Sequence, residues 1–244
     1  MSGQRDLEGL SALVTGATSG IGKAVAEELG RRGAEVIVHG RDATRGEAVV
    51  DAITTEGGRA RFVAADLSDP AQLDDLIEQV GAVDVLVNNA GFSWFGPTAT
   101  LDVATFDRLF AANVRAPYFL VAALAPKMAA RGSGSIVNLS SMAGQIGLAG
   151  SAAYGATKST LASMTRSWAA EFSPAGVRVN AIAPGPVVTG GAAPDRIEAL
   201  GATTILARAA QPSEIAEVIA FLASPKASYV TGAVIAADGG RTAV

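Results

Sequence analysis

The chain has 244 residues, 49% of them hydrophobic, with no cysteine, one histidine, and 19 basic against 23 acidic side chains for a formal charge of -4. That composition can bury one sizeable core, excludes disulfides, thiol catalysis and Cys-ligated zinc, and argues against a His-based metal site. The charges are mixed in sign with no Lys/Arg-rich run, which argues against nucleic acid, and Met1 to Leu10 carries Arg5, Asp6 and Glu8 instead of an apolar leader.

No run of membrane-spanning length is expected, so the chain reads as a soluble cytoplasmic protein without a membrane partner. In chain order, the first predicted strand is Ala12-Leu13-Val14 and the first predicted helix covers about 20–32. The turn between them, Thr15-Gly16-Ala17-Thr18-Ser19-Gly20-Ile21-Gly22, has glycines spaced GxxxGxG. Small residues there let the backbone approach a pyrophosphate, while the helix N-terminus offers free N–H groups and a positive dipole end. Gly16, Thr18, Ser19, Gly20, Ile21 and Gly22 are therefore candidate cofactor contacts, although an ordinary strand-to-helix turn also uses glycine.

A second strand, Glu35-Val36-Ile37-Val38, runs into His39-Gly40-Arg41-Asp42 ahead of a helix over about 43–57. In dinucleotide folds an acid at the end of this strand accepts hydrogen bonds from the adenosine ribose and repels a 2′-phosphate. Gly40 stands where that acid would fall, Arg41 follows and Arg45 offers a second cation, so NADP(H) is expected over NAD(H). The third strand, Arg61-Phe62-Val63-Ala64, ends at Asp66-Leu67, where the Asp can accept from an adenine amino group or cap the next turn. Ser68-Asp69-Pro70 then opens a helix over about 70–80. A fourth strand, Asp84-Val85-Leu86-Val87, ends at Asn88-Asn89-Ala90-Gly91, at the edge where open α/β sheets bind ligands, and Asn88, Ala90 and Gly91 are assigned to the cofactor.

A long helix is predicted over about 102–130, then a fifth strand at Ser135-Ile136-Val137-Asn138-Leu139 and a helix over about 152–172. Ser140-Ser141 follows that strand, and Tyr154 and Lys158, at i and i+4, share one face of the helix. A phenol with a pKa of about 10 carries protons poorly at neutral pH, and an adjacent ammonium lowers that value. The sixth strand, Val177-Arg178-Val179-Asn180-Ala181-Ile182, leads to Pro184-Gly185-Pro186-Val187-Val188-Thr189. The stretch that follows is rich in Gly, Ala and Thr without a strong period, which makes about 189–208 the candidate lid. Gln211-Pro212-Ser213-Glu214 opens a helix over about 212–223, and Ala233-Val234-Ile235-Ala236 is the seventh strand. Unbroken apolar runs alternating with helices predict α/β architecture: one domain over 1–244, a doubly wound parallel sheet of seven strands with helices on both faces.

Thr15-Gly16-x-x-x-Gly20-Ile21-Gly22, Asn88-Asn89-Ala90-Gly91, Asn113, Ser141, Tyr154-x-x-x-Lys158 and Pro184-Gly185, in this order over essentially the whole chain, resemble the short-chain dehydrogenase/reductase family. The resemblance implies a Rossmann-like oxidoreductase acting on CH–OH groups, moving a hydride between NADP(H), or alternatively NAD(H), and a carbonyl or secondary alcohol. It implies Tyr154 as general acid or base, Ser141 as a hydrogen-bond donor to the same oxygen, and Lys158 as the cation that lowers the Tyr154 pKa and holds the nicotinamide ribose. Asn113 would anchor a relay water. Pro184, Gly185, Val187 and Thr189 would pack the nicotinamide.

Substrate walls are expected at Ser93, Trp94, Phe95, Met142 and Leu148. No Arg or Lys stands beside Ser141 or Tyr154 to grip a carboxylate or phosphate, Arg196 and Arg208 in the lid being the remaining candidates, so a neutral, partly apolar carbonyl is expected. Reductases of 3-oxoacyl carrier proteins and NAD-dependent polyol or sugar dehydrogenases share these motifs. Arg131 could meet an acidic carrier, while the uncharged turn Ser173-Pro174-Ala175-Gly176 argues against one. A non-catalytic cofactor-binding regulatory protein is the reading that loss of Tyr154 or Lys158 would have signalled. Apolar residues such as Phe119, Leu120, Leu124, Leu161, Met164 and Trp168 exceed what one sheet face needs, and with the family's habit of four-helix contacts they imply a homotetramer.

Overall fold

The computed structural model describes residues 5–190 and 194–244. Its strands are β1 (Ser11–Val14), β2 (Glu35–Gly40), β3 (Arg59–Ala64), β4 (Val85–Asn88), β5 (Gly134–Leu139), β6 (Val177–Pro184) and β7 (Val234–Ala237). They form one sheet in the order β3-β2-β1-β4-β5-β6-β7, and every pairing is parallel. Successive side chains point to opposite faces, so Ala12 and Val14 join one core and Leu13 the other. Both faces are covered by helices. Side chains on both faces are therefore mostly apolar, and the polar ones among them, such as Asn138 and Asn180, take hydrogen bonds.

The helices are α1 (Gly20–Arg31), α2 (Ala43–Thr55), α3 (Pro70–Val80), α4 (Val103–Phe110), α5 (Ala116–Arg131), α6 (Ala152–Phe172), α7 (Pro194–Gly201) and α8 (Pro212–Ala223). Apolar stripes of α1, α2 and α8 fill one core, and those of α3, α5 and α6 the other. Their starts follow capping chemistry. Asp42 accepts from Arg45 N at 3.0 Å, Asp69 from Ala71 N at 2.9 Å and Asp102 from Thr105 N at 2.8 Å. At α8, Glu214 reaches back to Gln211 N at 2.8 Å, as its sequence foreshadows. The chain reverses its direction of travel across the sheet between the neighbours β1 and β4, which opens a crevice at the carboxyl ends of the strands.

Four features differ from the sequence-based expectation. The segment expected to be an irregular lid contains α7, because Pro194 and Asp195 supply a fixed φ and first-turn acid that outweigh Gly/Ala-rich flanks; residues 191–193 of that lid lie outside the described residues. The long helix is interrupted by a π-helical segment, Ala111–Arg115, in which Ala116 N donates to Ala111 O. In addition, the continuous run Val103–Arg131 does meet the length and hydropathy of a membrane span, with half of its apolar window buried inside the chain. Leu120, Leu124, Leu161 and Trp168, expected as surplus surface, belong to the core, and the exposed apolar residues of this face are Val103, Phe106, Tyr118 and Phe119.

Candidate active site

The glycine turn between β1 and α1 is held from below by three side chains. Thr15 Oγ1 donates to Val87 O at 3.2 Å and accepts from Asn89 N and Ala90 N, both at 3.0 Å. Asn89 Nδ2 returns the bond to Thr15 O at 2.8 Å and Gly16 O at 3.1 Å. The buried His39 completes the clamp: Gly16 N donates to its Nδ1 at 3.2 Å, so the other ring nitrogen carries the proton and donates to Ala65 O at 3.1 Å. Asn89, Thr15 and His39 were not among the residues assigned from sequence. Only the fold shows that the single histidine supports the turn.

Gly16 has φ +64°, and a Cβ there would stand 2.9 Å from Ala90 Cα, so the two strand ends touch only because it is glycine. At the start of α1, Ser19 makes no side-chain cap bond, leaving the first-turn amides without a side-chain partner. Thr189 lies against Gly20, so the segment after β6 meets the turn. These features fit a dinucleotide phosphate at the helix N-terminus. Val187 is buried and bridged to Ala210, Pro184 is buried, and Gly185 packs against the Asp238 backbone. Asn88 turns into the sheet, where its amide donates to Asn138 Oδ1 at 2.8 Å, and Leu67 is likewise buried. Ile21 is half-buried, and Gly22 packs against Gly16 O and the Asn89 amide.

At the far end of the crevice the Arg41 side chain is 77% exposed, with its guanidinium 3.7 Å from Asp66. Asp66 Oδ1 accepts from Ser68 N and Ser68 Oγ, capping its own turn. Asp42 caps α2 and pairs with Arg45 at 2.8 Å, which leaves Arg41 as the less committed of the two cations. Gly40 faces Thr18: a Cβ there would lie 2.4 Å from Thr18 Cγ2.

The proton-handling residues meet because Gly144 and Gly155 admit close contact between the turn after β5 and α6. Ser141 caps the short 3-10 turn Met142–Gly144, accepting from Ala143 N at 3.1 Å, and this turn lies on the first turns of α6. The Ser141 side chain lies close enough to the Tyr154 hydroxyl to pull its pKa down, and Lys158 Nζ lies 5.7 Å from the Tyr154 ring centroid. Lys158 is buried and donates to Leu139 O at 2.7 Å, while its own carbonyl accepts from Ser140 Oγ at 2.9 Å. Burial pushes the Tyr154 phenol up, against the pull of the neighbouring Ser141, and pushes Lys158 down to about 8. Burial therefore outweighs the lowering of the phenol that an adjacent ammonium leads one to expect. Asn113 lies in the π segment; its amide donates to Phe92 O at 3.0 Å and Thr157 Oγ1 at 3.1 Å, and its Oδ1 accepts from Phe92 N at 3.1 Å. Gly91 fits between Asn113 and Lys158.

Aromatic side chains flank this centre. The Phe95 ring packs on Tyr154 with centroids 5.5 Å apart, beside the half-buried Trp94. Met142 is buried, Leu148 half-buried and Ser93 exposed. Arg131 donates to Val83 O at 2.6 Å and approaches Asp84 at 3.4 Å, at the amino ends of the strands, on the side opposite the crevice.

The family model described as enoyl-(acyl carrier protein) reductase matches residues 16–242. A solved structure described as a short chain dehydrogenase/reductase family protein is 51% identical, with a TM-score of 0.91, covering 98% of this chain and 100% of that one. The chain belongs to the short-chain dehydrogenase/reductase family. Among other members, the cis-4-hydroxycyclohexanecarboxylate dehydrogenase of Sinomonas cyclohexanicum is 42% identical over 242 residues, 96% of each chain. The angucycline C-6 ketoreductase LanV, solved with bound NADP, is 35% identical with a TM-score of 0.91, covering 98% of each chain. This member of the short-chain dehydrogenase/reductase family is a hydride-transfer oxidoreductase acting on alcohol and carbonyl groups.

His39 makes the clamp sensitive to acid. Burial lowers its pKa from 6.5 to about 4, opposed by the Ala65 carbonyl and Asp66. Above pH 6.5 the ring is neutral in both folded and unfolded chains and adds no pH slope. As pH falls from 6.5 towards 4, only the unfolded chain takes up the proton, and stability drops by about 1.4 kcal/mol per pH unit. Urea unfolding between pH 4.5 and 7.5 is expected to show the stability advantage of wild type over His39→Asn shrinking with acid; a constant difference would show that His39 does not titrate this way.

Proposed function

We propose that the chain is an NADP(H)-dependent reductase or dehydrogenase of a carbonyl or secondary alcohol, with Tyr154 as general acid and base. The observation that carries this reading is the meeting of Ser141 with Tyr154 on the first turns of α6, with Lys158 behind the ring. The dinucleotide, when bound, supplies or accepts the hydride. Its phosphates would lie on the first turn of α1, with Gly16, Thr18, Ser19, Gly20, Ile21 and Gly22, and its adenosine end between Arg41 and Asp66. Ala90, Gly91, Pro184, Gly185, Val187 and Thr189 would line the nicotinamide end.

Ser141 and Tyr154 converge on one substrate oxygen. For reduction, Tyr154 must hold its proton until the oxygen becomes negative, and its raised pKa favours that state. For oxidation the phenol must give up a proton first, and Lys158, an ammonium below pH of about 8, stabilises the resulting phenolate. Asn113 keeps the Phe92 loop and α6 in register through its side chain, so a relay water would be held by its main chain. Residues 189–208 serve as the lid. A carrier-protein substrate is disfavoured, because Arg131 is engaged away from the crevice. Tyr154→Phe is expected to keep cofactor affinity and lose turnover by roughly a hundredfold or more; near wild-type kcat would remove Tyr154 from the chemistry.

For the cofactor preference, Arg41→Ile is expected to lower kcat/KM with NADPH by about ten- to a hundredfold, the scale of a charge-assisted phosphate contact, with little change for NADH. An acid at Gly40 makes a poorer test, since it collides with Thr18. A wild type that favours NADH, or an Arg41→Ile variant with unchanged preference, counts against the NADP(H) reading.

We also propose a cytoplasmic homotetramer. Val103, Phe106, Tyr118 and Phe119 are exposed along α4 and α5, beside a groove of about 580 Å³ that includes Phe110, Val114, Tyr118 and Phe119. A second groove of about 460 Å³ runs from Trp94 and Leu101 to Ala152 and Ala156 at the start of α6. Neither contains Tyr154 or Ser141; on this proposal a symmetry mate covers the first groove, and α8 and β7 form a second two-fold contact. Light scattering at micromolar concentration is expected to give a tetrameric mass; a monomer ends this proposal.

A further inference from the structure

We infer that the substrate carries a carboxylate at the end remote from its reacting oxygen, and that Arg196 of the lid binds it. The inference rests on reading Tyr154 and Ser141 as the reacting end. Arg196, on α7, is far from both in sequence, and the fold lays its guanidinium 4.4 Å over the ring of Phe95. Phe95 itself packs on Tyr154. The three side chains thus form a column from the lid to the proton donor, one aromatic ring separating the cation from the chemistry. Among the described residues no hydrogen bond engages its N–H groups, which leaves them available to take a carboxylate through two parallel bonds.

The other cation of the lid does not compete. Arg208, the second cation considered from sequence, is held by both oxygens of Glu214 at 2.7 Å and is spent on the start of α8. Among the described residues Arg196 has no ion-pair partner. An exposed arginine beside an apolar wall of Phe95 and Trp94 has no internal charge to satisfy, so it offers an anion site without displacing a protein carboxylate. A single guanidinium suits one carboxylate, whereas a phosphate would call on a second cation that Glu214 already holds. The ligand that fits is an apolar body lying along Phe95, with the reacting carbonyl or hydroxyl at one end and a carboxylate at the other. This departs from the neutral substrate expected from sequence.

The test reads binding, so it does not depend on turnover. Calorimetry with the NADP+-loaded protein compares cyclohexanecarboxylate with its methyl ester, for wild type, Arg196→Met and Arg196→Lys. The wild type is expected to bind the acid about ten- to a hundredfold more tightly than the ester, Arg196→Met to bind the two alike, and Arg196→Lys to fall between them. Matching circular dichroism shows that the exposed substitutions leave the fold intact. Equal affinity of the wild type for acid and ester, no binding of either, or a preference that survives in Arg196→Met overturns the inference. Failure of the oxidoreductase reading shows itself separately, in the turnover of Tyr154→Phe.

Discussion

Lys158 carries its amino group to a place only 5% exposed, and the carboxyl edge of the sheet is arranged around that burial. A charge removed from water needs acceptors and space. Leu139 O provides the acceptor, which requires β5 to end there and the chain to turn at Ser140. Ser140 in turn binds the Lys158 carbonyl, fixing α6 against the strand. Space comes from Gly91, and Asn113 secures the neighbouring Phe92 peptide with two hydrogen bonds and Thr157 with a third. Once the cation is housed in this way, Tyr154 lies within reach of its field and of Ser141. The balance is close: burial brings Lys158 down to about 8, so the ammonium persists at neutral pH without a wide margin.

The same edge divides labour with the opposite one. At the amino ends of the strands, charged side chains finish the helices: Arg178 donates to Leu222 O and Ser224 O at the end of α8, and Arg131 ties α5 to Val83. These cations are consumed by carbonyls. At the carboxyl edge, Arg41 and Arg196 keep an exposed guanidinium, at opposite ends of the crevice. Basic residues that look alike in a sequence are separated by topology into those bound to backbone carbonyls and those left exposed at the crevice.

Much of this could be read from the chain itself. The seven strands are legible because β-branched runs buried on both faces have no polar alternation, and the starts of α3 and α8 because proline and acids mark them. Ser141, Tyr154 and Lys158 are legible as a spacing. Other parts depend on contacts remote in sequence. His39 sits 23 residues from the Gly16 amide it accepts, and nothing in a single histidine after a strand announces that bond. Arg196 has no neighbour in sequence that links it to Phe95. Asn89 and Thr15 act through hydrogen bonds between the ends of β1 and β4 that no local spacing shows. The buried Leu120 and Leu124 and the exposed Phe119 share one apolar helix, and only packing separates core from surface.

The π segment has a consequence for how this chain can vary. Its extra residue shifts the rotational phase of everything downstream by about 100° relative to an uninterrupted α-helix. That offset lets Asn113 face Phe92 and Thr157 while Leu120, Leu124 and Met128 face the sheet. The helix therefore works as a coupling between two azimuths, with the segment as its gear tooth. Substitutions along Val103–Arg131 change one contact at a time, whereas loss or gain of a single residue would turn one end of the helix against the other. Over this stretch, length is under tighter constraint than identity.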